Sequence, residues 1–220
     1  MIEISTSILS VKKEDSIKTF YNLETAKTDY FHIDVMDGKF VENNTSNMMY
    51  KYTEKIKQIS NTPLDIHLMV NDINKYIEEY IPVYPSYITF HLEACKNKEE
   101  VFKYIEKIKQ NGIKVGIAIK PETKIEDMYK FLPYIHLVLI MTVEPGKGGQ
   151  KLIPYTLEKI NDIKKYLMDN NLDTYIEADG GINLETSKDV INAGADILVA
   201  GSAIINSNNY EEIIKKIRRI

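Results

Sequence analysis

Apolar, β-branched runs recur along the chain, with helical patterns between them. The strand-like runs are IEISTSI (2–8), YFHIDVM (30–36), LDIHLMV (64–70), YITFHLE (87–93), IKVGIAI (113–119), HLVLIMTV (136–143), TYIEAD (174–179) and DILVAG (196–201). Each is followed by a segment that can be helical. One such segment, KEEVFKYIEKIKQNG (98–112), closes on Asn-Gly, a helix stop. Eight strand–helix units in 220 residues predict an α/β fold, a parallel (β/α)8 TIM barrel with its helices outside. An open doubly wound sheet also fits the alternation, but it usually has fewer strands. No linker, low-complexity stretch or shift of composition interrupts the chain, so residues 1–220 are expected to form a single domain.

Some of these runs carry residues that a buried strand should not. In YFHIDVM, His32 and Asp34 stand among apolar residues and share one face, because side chains alternate along a strand. A lone buried carboxylate costs several kcal/mol and is rare unless it is paired or binds a metal. In a barrel the chemistry gathers at the C-terminal ends of the strands. Strand 2 brings His32, Asp34 and Met36 there, strand 3 His67 and Met69, strand 6 Met141, and strand 7 Asp179. A single histidine on a strand reads most simply as a hydrogen-bonded core residue. Two histidines and two aspartates at three strand ends read instead as one cluster, with a donor set that suits a divalent metal. His91 is close enough to the mouth to support such a cluster from behind. His136 lies at the wrong end of its strand and is expected to be structural.

Glycine-bearing loops follow the last three strands: EPGKGGQ (144–150), DGGIN (179–183) and GSAIINS (201–207). Glycine lets the backbone approach a ligand and point its N–H groups at an anion. Barrels often bind phosphate in the loops after strands 7 and 8. Three such loops on adjacent strands predict a phosphate cradle. Met36, Met69 and Met141 are either core filling, the usual role of Met, or a soft apolar wall over a sugar skeleton.

Composition narrows the function classes. Hydrophobic residues are 44% and charged residues 27%, which suits a soluble globular chain rather than a disordered one. The net charge of −4 gives no reason to expect a nucleic-acid partner, and basic and acidic residues are interleaved as on solvated helix faces. No apolar run is long enough to span a membrane, and the first residues lack the basic region of a signal peptide. The single cysteine, Cys95, excludes an internal disulfide, suits a reducing cytoplasm and is expected to be structural. A homo-oligomer is compatible with this composition.

Taken together, SILS (7–10), HIDVMDGKFV (32–41), LDIHLMV (64–70), MTVEPGKGGQ (141–150), EADGGIN (177–183) and VAGSAI (199–204) resemble the ribulose-phosphate 3-epimerase family over nearly the whole chain. The resemblance implies that His32, Asp34, His67 and Asp179 hold one divalent ion: Zn²⁺, Fe²⁺, Mn²⁺ or Co²⁺. It also implies that Asp34 and Asp179 form an acid–base pair. Ser7, His67, Gly146, Lys147, Gly148, Gly149, Gly180, Gly181, Gly201 and Ser202 would contact a phosphorylated ketose, most of them at its phosphate. The implied reaction is 3-epimerisation through an enediolate, with D-ribulose 5-phosphate the first choice of substrate. A six-carbon ketose phosphate such as D-allulose 6-phosphate is the second, and a phosphosugar-binding barrel without catalysis the third.

The chain departs from the family pattern at Glu42, Asn44 and Asn47, where a proline, an apolar residue and a glycine are usual. Lys147 replaces an aromatic residue, and Lys120 an asparagine. None of these positions supplies an implied metal ligand. Replacing a rigid proline and an apolar residue by polar ones is expected to make the 42–47 loop more mobile and the mouth wetter.

Overall fold

The computed structural model of the protein describes residues 2–218. Eight strands are present: β1 (Glu3–Ser7), β2 (Tyr30–Met36), β3 (Leu64–Met69), β4 (Tyr87–His91), β5 (Lys114–Ile119), β6 (Leu137–Met141), β7 (Tyr175–Asp179) and β8 (Ile197–Ala200). All pair in parallel with their sequence neighbours, and β1 pairs with β8, so the sheet closes into a barrel. The helices are α1 (Ser16–Thr25), α2 (Ser46–Ile59), α3 (Ile73–Tyr80), α4 (Lys98–Gln110), α5 (Glu126–Tyr129), α6 (Thr156–Asp169), α7 (Ser187–Ala193), α8 (Ser202–Ile205) and α9 (Tyr210–Arg218). Helix α5 is a single turn. Helix α4 begins where the Asn97 side chain accepts a hydrogen bond from the Glu100 N–H at 2.9 Å. Glu99 and Glu100 in its first turn and Lys107 and Lys109 in its last match the helix dipole.

Alternation along each strand sorts the buried residues into two cores. Outward residues such as Ile33, Val35, Ile66, Leu68, Ile88, Phe90, Val138 and Ile176 join the helices in one continuous apolar core. Inward residues divide by wall. Ala118, Leu137, Leu139, Met141 and Ile197 form a small separate core with Tyr87 inside the barrel. The remaining walls turn polar groups inward: Ser5, Ser7, His32, Asp34, Asp65, His67, Thr89, His91 and Glu177, all buried. The lumen is packed, not hollow: a Cβ at Gly116 of β5 would lie 2.9 Å from Thr89 Cβ and 3.0 Å from Leu137 Cδ2.

Strand register stacks the site. Asp34 stands opposite His67, with Met36 opposite Met69 one layer nearer the mouth. On the other side Met141 stands opposite Asp179. The strand boundaries differ from the sequence pattern mainly at β4. The apolar run extends to residue 93, but the strand ends at His91 and Leu92–Ala94 turn as a 3₁₀ segment. That turn carries Glu93 off the strand and back beneath His91, where their side chains meet at 3.0 Å.

Candidate active site

His32, Asp34, His67 and Asp179 each offer one donor atom, and the four atoms all lie within 4.8 Å of one another. His32 Nε2 is 3.4 Å from Asp34 Oδ1 and 3.8 Å from Asp179 Oδ2. His67 Nδ1 is 3.6 Å from Asp34 Oδ1, 3.4 Å from Asp179 Oδ2 and 3.4 Å from His32 Nε2. Donors held at about 2.1 Å around a tetrahedral ion stand roughly 3.4 Å apart, so these spacings and this nitrogen–oxygen set fit one divalent ion.

The outer atoms of three of the four groups, Asp34, His32 and His67, are already engaged. Asp34 Oδ2 accepts a hydrogen bond from Ser7 Oγ at 2.6 Å. His32 Nδ1 is 2.6 Å from Asp65 Oδ2, which also accepts from Ser5 Oγ at 2.8 Å. His67 Nε2 is 2.9 Å from His91 Nε2. Each imidazole therefore presents its remaining nitrogen to the cluster, the arrangement by which carboxylates orient metal-binding histidines.

Charge follows from this packing. Burial opposes ionisation of Asp34, but His32 and His67 beside it hold its carboxyl far below the ordinary range. Burial likewise opposes protonation of His32, yet Asp65 and Asp34 raise it well above its ordinary value. Against the same burial, Asp179 and Asp34 raise His67. Glu177 is fully buried behind the cluster, and burial together with Asp65 pushes its carboxyl well above the usual range. His32, in contrast, pulls Asp65 down against its own burial. His32, Asp65 and Glu177 also bring three donor atoms within 4.8 Å, but there His32 Nδ1 is already hydrogen-bonded to Asp65.

Above the cluster lies a cavity of about 340 Å³. Asp34 and Asp179 reach it from β2 and β7, which are separated by β8 and β1. Met36, Met69 and Met141 all line it, as do Ser7, Gly146, Lys147, Gly148, Gly149, Gly180, Gly181, Gly201 and Ser202. His32 and His67 are fully buried and do not reach its wall. Gly181 has a left-handed backbone, φ +68, and a Cβ there would lie 2.9 Å from Leu152 Cα, so the turn after β7 has no room for a side chain.

The whole chain matches known proteins consistently. Residues 3–205 match the model of the ribulose-phosphate 3 epimerase family. The chain belongs to that family. It is 38% identical over 218 residues to a ribulose-phosphate 3-epimerase of Methanocaldococcus jannaschii, covering 99% of this chain and 90% of that one. It is 36% identical over 219 residues to the Bacillus subtilis protein of the same name, covering 99% of each. Solved structures supply the same fold at lower identity. A 3-hexulose-6-phosphate synthase superposes with a TM-score of 0.73 at 14% identity, covering 99% of this chain and 98% of that one. A thiamine phosphate pyrophosphorylase from Pyrococcus furiosus does so at 0.66 and 13%, covering 99% and 93%. The protein is therefore an isomerase of the ribulose-phosphate 3-epimerase kind.

Departures from the family pattern take definite positions. The loop after β2 makes several hydrogen bonds. Asp37 accepts from the backbone N–H groups of Lys39, Phe40 and Asn71 at 2.8–2.9 Å. Asn44 Oδ1 accepts from Ser46 N and Oγ, at 3.2 and 2.9 Å. Asn43 Nδ2 donates to the Gly146 carbonyl at 2.6 Å, which joins this loop to the glycine loop after β6. Glu42 is exposed and off the cavity wall.

His136 accepts from Val115 N at 3.1 Å at the foot of the barrel. Burial pushes the Cys95 thiol up to about 12, which leaves it inert. Asp65, Glu177 and Glu93 were not singled out by their motifs. The alternation that marked His32 and Asp34 also marks Asp65 and Glu177, because each lies two residues before a site residue on the same face. Asn183, Asn206 and Lys151 on the cavity wall carried no comparable signal.

Proposed function

We propose that the protein interconverts D-ribulose 5-phosphate and D-xylulose 5-phosphate by moving the C3 proton between Asp34 and Asp179. The observation that carries this reading is that both carboxylates open into one cavity from separate strands, over a four-donor cluster. His32, Asp34, His67 and Asp179 would hold one divalent ion: Zn²⁺, Fe²⁺, Mn²⁺ or Co²⁺. Such an ion would supply positive charge for the oxygens of the substrate on which negative charge develops.

Inverting a carbon next to a ketone requires a proton to leave one face and another to arrive on the opposite face. One ionised aspartate takes the C3 proton, and the C–H electron pair passes into the C2 carbonyl to give an enediolate. The other aspartate, protonated, returns a proton to C3 from its own side. The two have then exchanged protonation states, and transfer with solvent restores them. The Ser7 hydroxyl fixes the Asp34 carboxylate in one orientation. The layer of Met36, Met69 and Met141 keeps water from the carbon skeleton and strengthens the electrostatics at C3. The amides of the glycine loops and the Ser202 hydroxyl would receive the phosphate, with Lys147 and Lys151 adding positive charge at the rim.

The loop that carries Glu42, Asn44 and Asn47 departs from the family pattern, but none of the three lines the cavity, so the pentulose stays the first choice. Contacts to one hydroxyl discriminate strongly, whereas one more carbon in an apolar pocket is worth about 1–3 kcal/mol. The test compares kcat/KM for ribulose 5-phosphate and allulose 6-phosphate. The pentulose is expected to be preferred. A hexulose preference above about tenfold, roughly 1.4 kcal/mol, would move the assignment to the longer sugar. Activity on neither would favour a binding protein.

A further inference from the structure

His67 does not stand alone behind the cluster. Its Nε2 faces His91 Nε2 at 2.9 Å, and His91 Nδ1 faces Glu93 Oε2 at 3.0 Å. The other Glu93 oxygen, Oε1, accepts from the Lys120 backbone N–H at 2.7 Å and from the Thr123 hydroxyl. His91 is fully buried, stacked on His67 with ring centroids 5.1 Å apart, and covered by Phe40 at 4.8 Å. The chain of contacts runs from the loop after β5, through Glu93 and His91, to His67.

Two ring nitrogens 2.9 Å apart need one proton between them: two lone pairs would repel, and two N–H groups would clash. The direction of this bond is therefore coupled to the bond at the far side of His91. A carboxylate has no proton to give, so His91 Nδ1 must donate to Glu93. His91 Nε2 is then a lone pair and accepts from His67 Nε2–H. That leaves the lone pair of neutral His67 on Nδ1, the atom that faces Asp34 and Asp179. We infer that Glu93 is a positioning residue: acting through His91, it fixes the proton of His67 on Nε2 and keeps Nδ1 free to bind a metal. The inference rests on the metal-dependent reading above. It also gives the two histidines a common design, with Asp65 setting His32 directly and Glu93 setting His67 through one intermediary.

The pattern at Glu93 makes the test directional. In Glu93→Gln, the single carbonyl oxygen is claimed by the two donors, Lys120 N–H and Thr123 Oγ–H. The amide NH₂ group is left facing His91 Nδ1. His91 must then accept there and carry its proton on Nε2, which forces the His67 proton onto Nδ1, against the metal. Glu93→Ala imposes no direction, because His91 is free to adopt either tautomer. The isosteric variant is therefore expected to do more harm than the truncation, the reverse of what a packing role produces.

Two measurements decide it. Zn²⁺ affinity, read by competition with a chromophoric chelator, is expected to fall at least tenfold in Glu93→Gln, within the usual range for such supporting groups, and by less in Glu93→Ala. Long-range ¹H–¹⁵N spectra of the metal-free wild-type protein, with its 4 histidines labelled, are expected to show His91 protonated on Nδ1 and bare on Nε2, and a proton on His67 Nε2. A His91 proton on Nε2 in the wild type would overturn the inference, whatever becomes of the variants. So would a Glu93→Gln variant that binds Zn²⁺ as tightly as the wild type. A wild type that binds no Zn²⁺ but shows the expected tautomers would refute the metal reading and leave the relay standing.

Discussion

Asp34→Asn and Asp179→Asn, each loaded with metal, are expected to lose epimerase activity by about 10²–10⁴-fold or more, the contribution of a positioned acid or base. The loss should fall on kcat, because neither amide can take or give the C3 proton, while the phosphate contacts remain. The two variants are not expected to fail alike. The one that keeps its carboxylate on the side of the substrate's C3–H can still remove the proton and exchange it with solvent, without inverting the centre. The other can do neither with that epimer, and the roles reverse with the opposite epimer. Exchange into D₂O from ribulose 5-phosphate and from xylulose 5-phosphate, measured for both variants, reads this crossover. Metal content is measured alongside, because both residues belong to the four-donor cluster. Full epimerase activity in either metal-loaded variant would remove the two-base mechanism.

His67→Ala is expected to carry less than a tenth of the metal of the wild type, for two reasons. It removes one of four donors, and it leaves His91 Nε2 without its partner at 2.9 Å. Thermal unfolding gives a second readout. An ion at 100 times its dissociation constant stabilises the folded chain by about 2.7 kcal/mol. For a chain of this size that is a rise in Tm of roughly 5–10 °C. The wild type should show this rise on adding Zn²⁺, and His67→Ala should not. Equal metal content and an equal rise in the variant would mean that the ion binds elsewhere.

The barrel was legible because its signal is local and repeated. Each parallel strand is buried on both faces, so it reads as a short apolar run, and eight such runs separated by helical segments leave few topologies. The observed strands fall within every one of the eight runs. The donor cluster was legible for the opposite reason, since His32, Asp34, His67 and Asp179 break the apolar pattern at strand ends. Glu93 was not. It lies past the end of β4, and only the 3₁₀ turn at Leu92–Ala94 brings it back to His91. The pairing of Asp65 with His32 depends on the β2–β3 register, in which the two residues stand opposite each other. The link between the 42–47 loop and the glycine loop after β6 was not legible either, because Asn43 reaches the carbonyl of Gly146, far along the chain.

The most direct measurement follows ribulose 5-phosphate by NMR in D₂O with the metal-loaded wild-type protein. The C3 proton signal should disappear as xylulose 5-phosphate carrying deuterium at C3 appears, and chelation of the ion should stop both. Retention of the C3 proton in the xylulose 5-phosphate formed, or no reaction at all with metal bound, would contradict proton transfer between Asp34 and Asp179.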